Sequence, residues 1–178
     1  VSERIESTRK LAYERFLLDT LLQNTPDRIY FKDRSARFVS VSRSMAEFFG
    51  CTPEELIGKS DFDFFQPELA KEKYRMDCKV INGEQVRQFE EPDFTKDGKK
   101  HWVITTKLPW ISRDGSILGL FGISRDITER KKLENKLQQA HEETGQLLAS
   151  ISGILISLDT EGRVTHWNSV TKRLLGLD

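Results

Sequence analysis

Hydrophobic and polar positions along the chain change period twice. Within residues 3–23, Ala12, Phe16, Leu18, Leu21 and Leu22 recur among Glu, Arg and Lys at near-helical spacing, which predicts an amphipathic helix. Asn24-Thr25-Pro26 ends it, because the residue before a proline avoids the α region. Within residues 127–150, Leu133, Leu137, Ala140, Thr144 and Leu147, continued by Ile151, step alternately by four and three. That is a narrow heptad seam, which a second copy of the same helix would cover most simply; a helix folded back on its own domain is the alternative. Thr144 and Gly145 weaken the seam. Between the two helices the runs are short. Residues 29–32 and 37–41 predict a hairpin, 44–49 a helix closed by Gly50, and 67–81 a longer helix closed by Asn82-Gly83. Thr52-Pro53-Glu54-Glu55 carries a capping residue, a first-turn proline and first-turn acids, the signature of a helix start. Residues 85–91, 101–111 and 116–125 predict three strands, separated by Asp97-Gly98 and Asp114-Gly115. In the second of these, Trp102, Ile104, Thr106 and Leu108 share one face and Val103, Thr105 and Lys107 the other. Two strands, short helices, then three strands predict an α+β domain with an antiparallel sheet.

The last strand runs into the C-terminal helix with almost no slack. Residues 118–123 are apolar without alternation, as in a strand covered on both faces, and Asp126-Ile127-Thr128-Glu129 supplies a helix start. Asp126-Ile127-Thr128-Glu129-Arg130 resembles the Asp-Ile-Thr-Glu-Arg boundary of PAS sensor domains, and the resemblance covers residues 27–132. It implies a five-stranded antiparallel sheet cupping short helices around an inner cavity. It also implies that Asp126 and Thr128 hold the joint between strand and helix. Residues 159–176 overlay 33–50 at a constant offset of 126, without a gap. Trp167-Asn168 is similar to a Trp-Asn pair common in PAS domains, where the first copy has Val41-Ser42. The expected organisation is a helical flank (1–25), a PAS domain (26–126), a coiled-coil signalling helix (127–150) and the start of a second, truncated PAS domain (151–178). That last segment is expected to be disordered, or ordered only by the long helix or a partner.

The resemblance places candidate pocket residues on three parts of the chain: Ile29, Phe31 and Val39 on the hairpin; Met45, Phe48 and Tyr74 on the helices; Trp102, Ile104, Thr106, Leu120, Gly122 and Ser124 on the last strands. Thr106 and Ser124 are the polar groups on that otherwise apolar wall. Two readings stay open, a small-ligand pocket and a plain core filled by the eleven Phe. Lys107 and Arg75 are expected on the surface, and Leu69, Val80, Ile81 and either Tyr74 or Lys73 on the inner side of helix 67–81. Haem-binding members of the family use a His on that helix, which here has none; Tyr74, Met76 and Cys78 are poorer ligands. Gly50-Cys51-Thr52-Pro53 is not the Gly-x-Asn-Cys-Arg-Phe of the flavin photosensors. No cofactor is expected. His101, His141 and His166 are scattered and suggest no metal site.

No catalytic constellation stands out. Glu54-Glu55 and Glu90-Glu91 fit surface acids, and Asp61 and Asp63 fit capping roles. His141-Glu142-Glu143-Thr144 is faintly similar to a phosphoacceptor helix but lacks the Arg-Thr-Pro that should follow. Lys plus Arg number 28 and Asp plus Glu 28, so net charge offers no reason to expect nucleic acid or anionic membrane as partner. No apolar run approaches the ~20 residues of a membrane helix, and the charged opening Val1-Ser2-Glu3-Arg4 gives no expectation of a signal peptide. Two cysteines without metal spacing suit a reducing cytoplasm. The expectation is therefore a cytoplasmic, non-enzymatic sensory input and signal-relay module of a two-component histidine kinase. It would bind a small ligand or partner in its core and work as a homodimer through both helical flanks. The seam would comprise Leu133, Leu137, Ala140 and Leu147, and the phosphorelay kinase would lie downstream in the same chain. A ligand-free dimerisation spacer, and the input domain of a diguanylate cyclase or a transcription regulator, are the alternatives.

Overall fold

The computed structural model describes residues 2–176 apart from Lys96 and Ser152, and the chain divides into two compact units, one ending at Thr128 and one beginning at Glu129. The first opens with α1 (Ser2–Asn24). Strands β1 (Arg28–Asp33) and β2 (Phe38–Val41) follow, then helices α2 (Arg43–Phe49), α3 (Pro53–Leu56) and α4 (Pro67–Ile81), with a 3₁₀ turn at Asp61–Asp63 between the last two. Strands β3 (Val86–Phe94), β4 (Lys100–Ile111) and β5 (Ile117–Asp126) complete a five-stranded antiparallel sheet in the order β2-β1-β5-β4-β3. The expected α+β architecture is thus present.

Local chemistry explains the short helices. The Ser42 hydroxyl accepts from the Met45 amide at the start of α2, and Gly50 closes the helix at φ 69°, a left-handed conformation that glycine adopts without strain. Thr52 and Glu55 form a capping box around the start of α3, with Pro53 in the first turn.

Strand parity decides what faces the helices. Arg28, Tyr30 and Lys32 of β1 point inward, while Phe31 lies on the outer face against Trp110 and Phe121, with ring centroids 5.4 and 4.9 Å apart. On β4 the buried side chains are Val103, Thr105 and Lys107. This corrects the expected lining: Trp102, Ile104 and Thr106 belong to the half-exposed outer face together with Phe31. The inner side of α4 is likewise Ala70, Asp77, Val80 and Ile81, and Tyr74 is exposed. The apolar core occupies the β2–α2 end, where Phe38, Phe49, Leu56, Val80 and Leu120 are buried and Phe49 stacks on Phe64 at 4.5 Å. Gly122 has a steric reason: a Cβ there would lie 2.2 Å from Tyr30 Cζ, so only glycine lets the tyrosine ring lie across β5.

The second unit contains α5 (Thr128–Ser150, whose first residue still belongs to the first unit), a hairpin of β6 (Ile156–Leu158) and β7 (Val164–Trp167), and α6 (Ser169–Leu175). The segment after α5 thus carries a hairpin and a short helix of its own, where the sequence led to disorder or to order supplied by the long helix or a partner. Side-chain ties join its parts. Asn168 caps α6 through the Thr171 amide and donates to the carbonyls of Ile151 and Gly153. The internal repeat also extends to hydrogen bonds. Asp33 accepts from the amides of Ser35 and Arg37, and Asp159 accepts from those of Glu161 and Arg163. Asn168 stands where Ser42 does, and Gly176 where Gly50 does, each in the same capping role.

Candidate functional site

Below the apolar core, the sheet and α4 enclose a cluster of charges. Alternation on β1 carries Arg28 and Lys32 inward, β4 contributes Lys107 and β3 contributes Asp93. Helical spacing puts Lys73 and Asp77 on one side of α4, and the 3₁₀ turn delivers Asp61. Lys32 Nζ donates to Asp61 Oδ2 at 2.5 Å and to Asp77 Oδ2 at 2.6 Å, and Lys107 Nζ to Asp77 Oδ1 at 2.5 Å. Arg28 Nη1 donates to Asp93 Oδ2 at 2.9 Å, with Lys73 Nζ 3.2 Å from the other oxygen of that carboxylate. The Arg28 guanidinium stacks over Phe48 at 3.9 Å.

Burial alone would neutralise these groups, but opposite charges at contact distance reverse the balance. Burial pushes the Asp77 carboxyl up, yet the ammonium groups of Lys32 and Lys107 hold it below the usual carboxylate range. Burial pushes Lys32 and Lys107 down, and the aspartates carry both above the ordinary lysine value. Burial raises the Tyr30 phenol well above its usual value. Asp77, Lys32 and Lys107 are therefore charged at neutral pH and Tyr30 is not.

Of the expected pocket residues, Met45, Leu120 and Ser124 are buried inside and Phe48 packs against the core, whereas Phe31, Tyr74, Trp102, Ile104 and Thr106 lie elsewhere. Lys107, expected on the surface, is 4% exposed. Asp63 does cap, accepting from the Ser60 amide, but Asp61 is buried on Lys32. The space left between the charges is about 20 Å³, room for one water. The interior is thus neither an open pocket nor a purely aromatic core.

A second constellation lies where β5 ends. The Asp126 carboxylate accepts from the Thr128 amide at 2.8 Å and contacts His101 Nδ1 at 2.8 Å. The Thr128 hydroxyl accepts from the Trp102 amide at 2.9 Å, and the Ile127 amide donates to the Trp102 carbonyl at 2.8 Å. Burial raises the Asp126 carboxyl, but the bonds from Thr128 and His101 outweigh it and hold the group below its ordinary value. One residue earlier on β5, Arg125 forms a two-pronged bond to Asp27, just past α1, at 2.9 and 2.7 Å, and this holds the Asp27 carboxyl low. The exit from α1 and the root of α5 are thereby fastened to one edge of the domain. Within α5, Leu133, Leu137 and Leu147 are each at least 65% exposed, and Ala140 is also exposed. On α1, Leu22 is buried while Phe16, Leu17, Leu18 and Leu21 are exposed.

Among the described residues there is no metal-binding cluster, and no helix is long and apolar enough to cross a membrane. A profile of the PAS fold matches residues 22–132. The aerobic respiration control sensor protein ArcB of Escherichia coli (strain K12) is 28% identical over 135 residues, which is 76% of this chain and 17% of ArcB. The methanogenesis regulatory histidine kinase FilI of Methanothrix harundinacea (strain 6Ac) is 27% identical over 160 residues, 89% of this chain and 18% of FilI. The chain thus spans less than a fifth of either kinase. Among solved structures, VqmA of Vibrio cholera in a ligand–DNA complex superimposes with a TM-score of 0.57 at 28% identity, over 64% of this chain and 51% of VqmA. The profile match, strand order and helix placement agree: the chain belongs to the PAS fold family, a sensory and non-catalytic fold, and is similar to the PAS regions of sensor histidine kinases.

Proposed function

We propose that this chain is the sensory input and relay module of a two-component histidine kinase, working in the cytoplasm as a homodimer through its helical flanks. The observation that carries the reading is the joint at Asp126 and Thr128. The last strand and the first residue of α5 are tied through Trp102 and His101, so a displacement of β4 or β5 is passed to the root of the helix. The exposed leucines of α5 are the surface on which a second copy would pack, with Leu133, Leu137, Ala140 and Leu147 at the seam. A change in the core then biases the helix pair between two arrangements. The likeness to ArcB and FilI supports a kinase as the linked output; the likeness to VqmA, solved with DNA, supports a transcription regulator as the second reading. Autophosphorylation of the full-length protein carrying Asp126→Ala tests the relay. The expected result is output that no longer responds to the input while the domain unfolds at nearly the wild-type midpoint. Unchanged regulation would overturn it.

A further inference from the structure

The small interior cavity and a larger surface groove meet at Lys73 and Glu91, which line both. The groove runs between α4 and the edge strand β3, holds about 440 Å³, and is walled by Leu69, Met76, Phe89, Pro92 and Phe94, with the exposed Glu72 on its α4 side. Lys32 and Lys107 are matched inside by Asp61 and Asp77. Nearer the mouth, Arg28 and Lys73 share the single carboxylate of Asp93. Arg28 is 6% exposed and uses one of its N–H donors, on Asp93, among the described residues; it lines the cavity. Glu91 stands at the mouth with no hydrogen bond or short ion pair among the described residues, and its charge acts on Lys107 and Tyr30 only at longer range. The mouth therefore holds more donors than acceptors, beside a mainly apolar trough, with Glu72 already exposed and Glu91 able to turn outward.

We propose that this gap takes a small carboxylic acid with an apolar body. The body lies in the α4–β3 groove, and the carboxylate replaces the enclosed water-sized volume beside Arg28 and Lys73 while Glu91 turns to solvent. The proposal rests on the sensory reading above and names the ligand class for it. An acceptor with two oxygens suits the unused guanidinium donors, and a carboxylate supplies the second negative charge that the Arg28–Lys73 pair lacks once Glu91 leaves. A cation would meet Arg28 and Lys73 first. Occupancy would push α4 from β3 at the strand whose neighbour β4 carries His101 and Trp102, both parts of the helix joint.

The test uses matched probes that differ only in the head: hexanoate against hexanamide and benzoate against benzamide, titrated into the 178-residue chain with amide chemical shifts as readout. The acids should give saturable shifts in residues 69–76 and 89–94, and the amides should bind about tenfold more weakly or not at all. Glu91→Gln should tighten the acids, by removing the competing carboxylate, and leave the amides unchanged. Lys73→Gln, at the half-buried mouth, should weaken the acids. Amides binding as well as acids would overturn the anionic class and leave a ligand site standing. Absence of saturable shifts from any probe, in wild type and in Glu91→Gln, would remove both the ligand class and the ligand-sensing reading of this core.

Discussion

Lys107 Nζ on β4 lies 2.5 Å from Asp77 Oδ1 on α4, and both side chains are at most 5% exposed. Lys32 meets the other oxygen of the same carboxylate, so one aspartate fastens a helix to two strands separated in the sheet by β5. Removing Asp77 strands two buried ammonium groups, one of which keeps Asp61 as a partner. Asp77→Asn is therefore expected to cost roughly 3–5 kcal/mol, read as a lower urea midpoint, because an uncompensated buried charge remains. Lys107→Met should cost less, since Asp77 retains Lys32.

The same cluster sets a pH window. The Asp77 carboxyl is held below its unfolded value, so its contribution is complete above about pH 4 and is lost as pH falls through the folded value. Lys32 and Lys107 are held above theirs, so their contribution is complete below about pH 10 and is lost as pH rises beyond it. Denaturant midpoints should form a plateau between these limits, with the acid limb shallower in Asp77→Asn. An acid limb unchanged by that substitution would contradict the assignment.

At the helix root, Asp126→Ala removes the acceptor for the Thr128 amide and the partner of His101. The loss resembles that of a helix cap, about 1 kcal/mol, and is local. Hydrogen exchange should quicken at the amides of residues 127–131 while Val103 and Leu120 in the core remain protected. The effect of Asp126 should also fade in acid, because its depressed carboxyl contributes only while ionised.

Two glycine substitutions should have opposite signs. Gly122→Ala drives a methyl into the Tyr30 ring and is expected to destabilise by about 1–3 kcal/mol. Gly145→Ala, in the interior of α5 with open space around it, should raise helix stability by roughly 1 kcal/mol. Thermal unfolding followed at two wavelengths, with far-ultraviolet helix signal and tryptophan fluorescence, separates the two effects.

Self-association supplies the fifth measurement. If the α5 leucines form a seam, sedimentation equilibrium should detect dimers, and Leu137→Glu combined with Leu147→Glu should return the chain to monomers without lowering the unfolding midpoint of the first unit. A wild-type chain that remains monomeric at high concentration would remove the dimer from the proposal.

Much of this molecule was written in short-range chemistry. Thr52 and Glu55 around Pro53, Gly50 after Phe49, and the turn at Asp97-Gly98 act through groups a few residues apart, so chain order alone predicted those elements. The repeat at an offset of 126 was equally legible, and it proved to extend to the hydrogen bonds of Asp33 and Asp159. Asp126 and Thr128 were found by a local pattern, although their partners His101 and Trp102 were not. The inner wall was less legible. Alternation separates Val103, Thr105 and Lys107 from Trp102, Ile104 and Thr106, but it does not say which set faces the helices, and apolar content pointed to the wrong one. A clue lay in α4, where Asp77 follows Ala70 by seven residues and precedes Val80 by three, an acid within an apolar stripe.

The order of the elements, their caps, the break between strand and helix at Asp126, and the repeated motif were readable along the chain, because each depends on neighbours in it. That Lys32 and Lys107 are interior residues emerges only from the folded arrangement. An ammonium group can be buried only where a carboxylate from a distant segment already waits, and the meeting of Asp61, Asp77 and Asp93 with their cations exists only after the sheet has closed over α4.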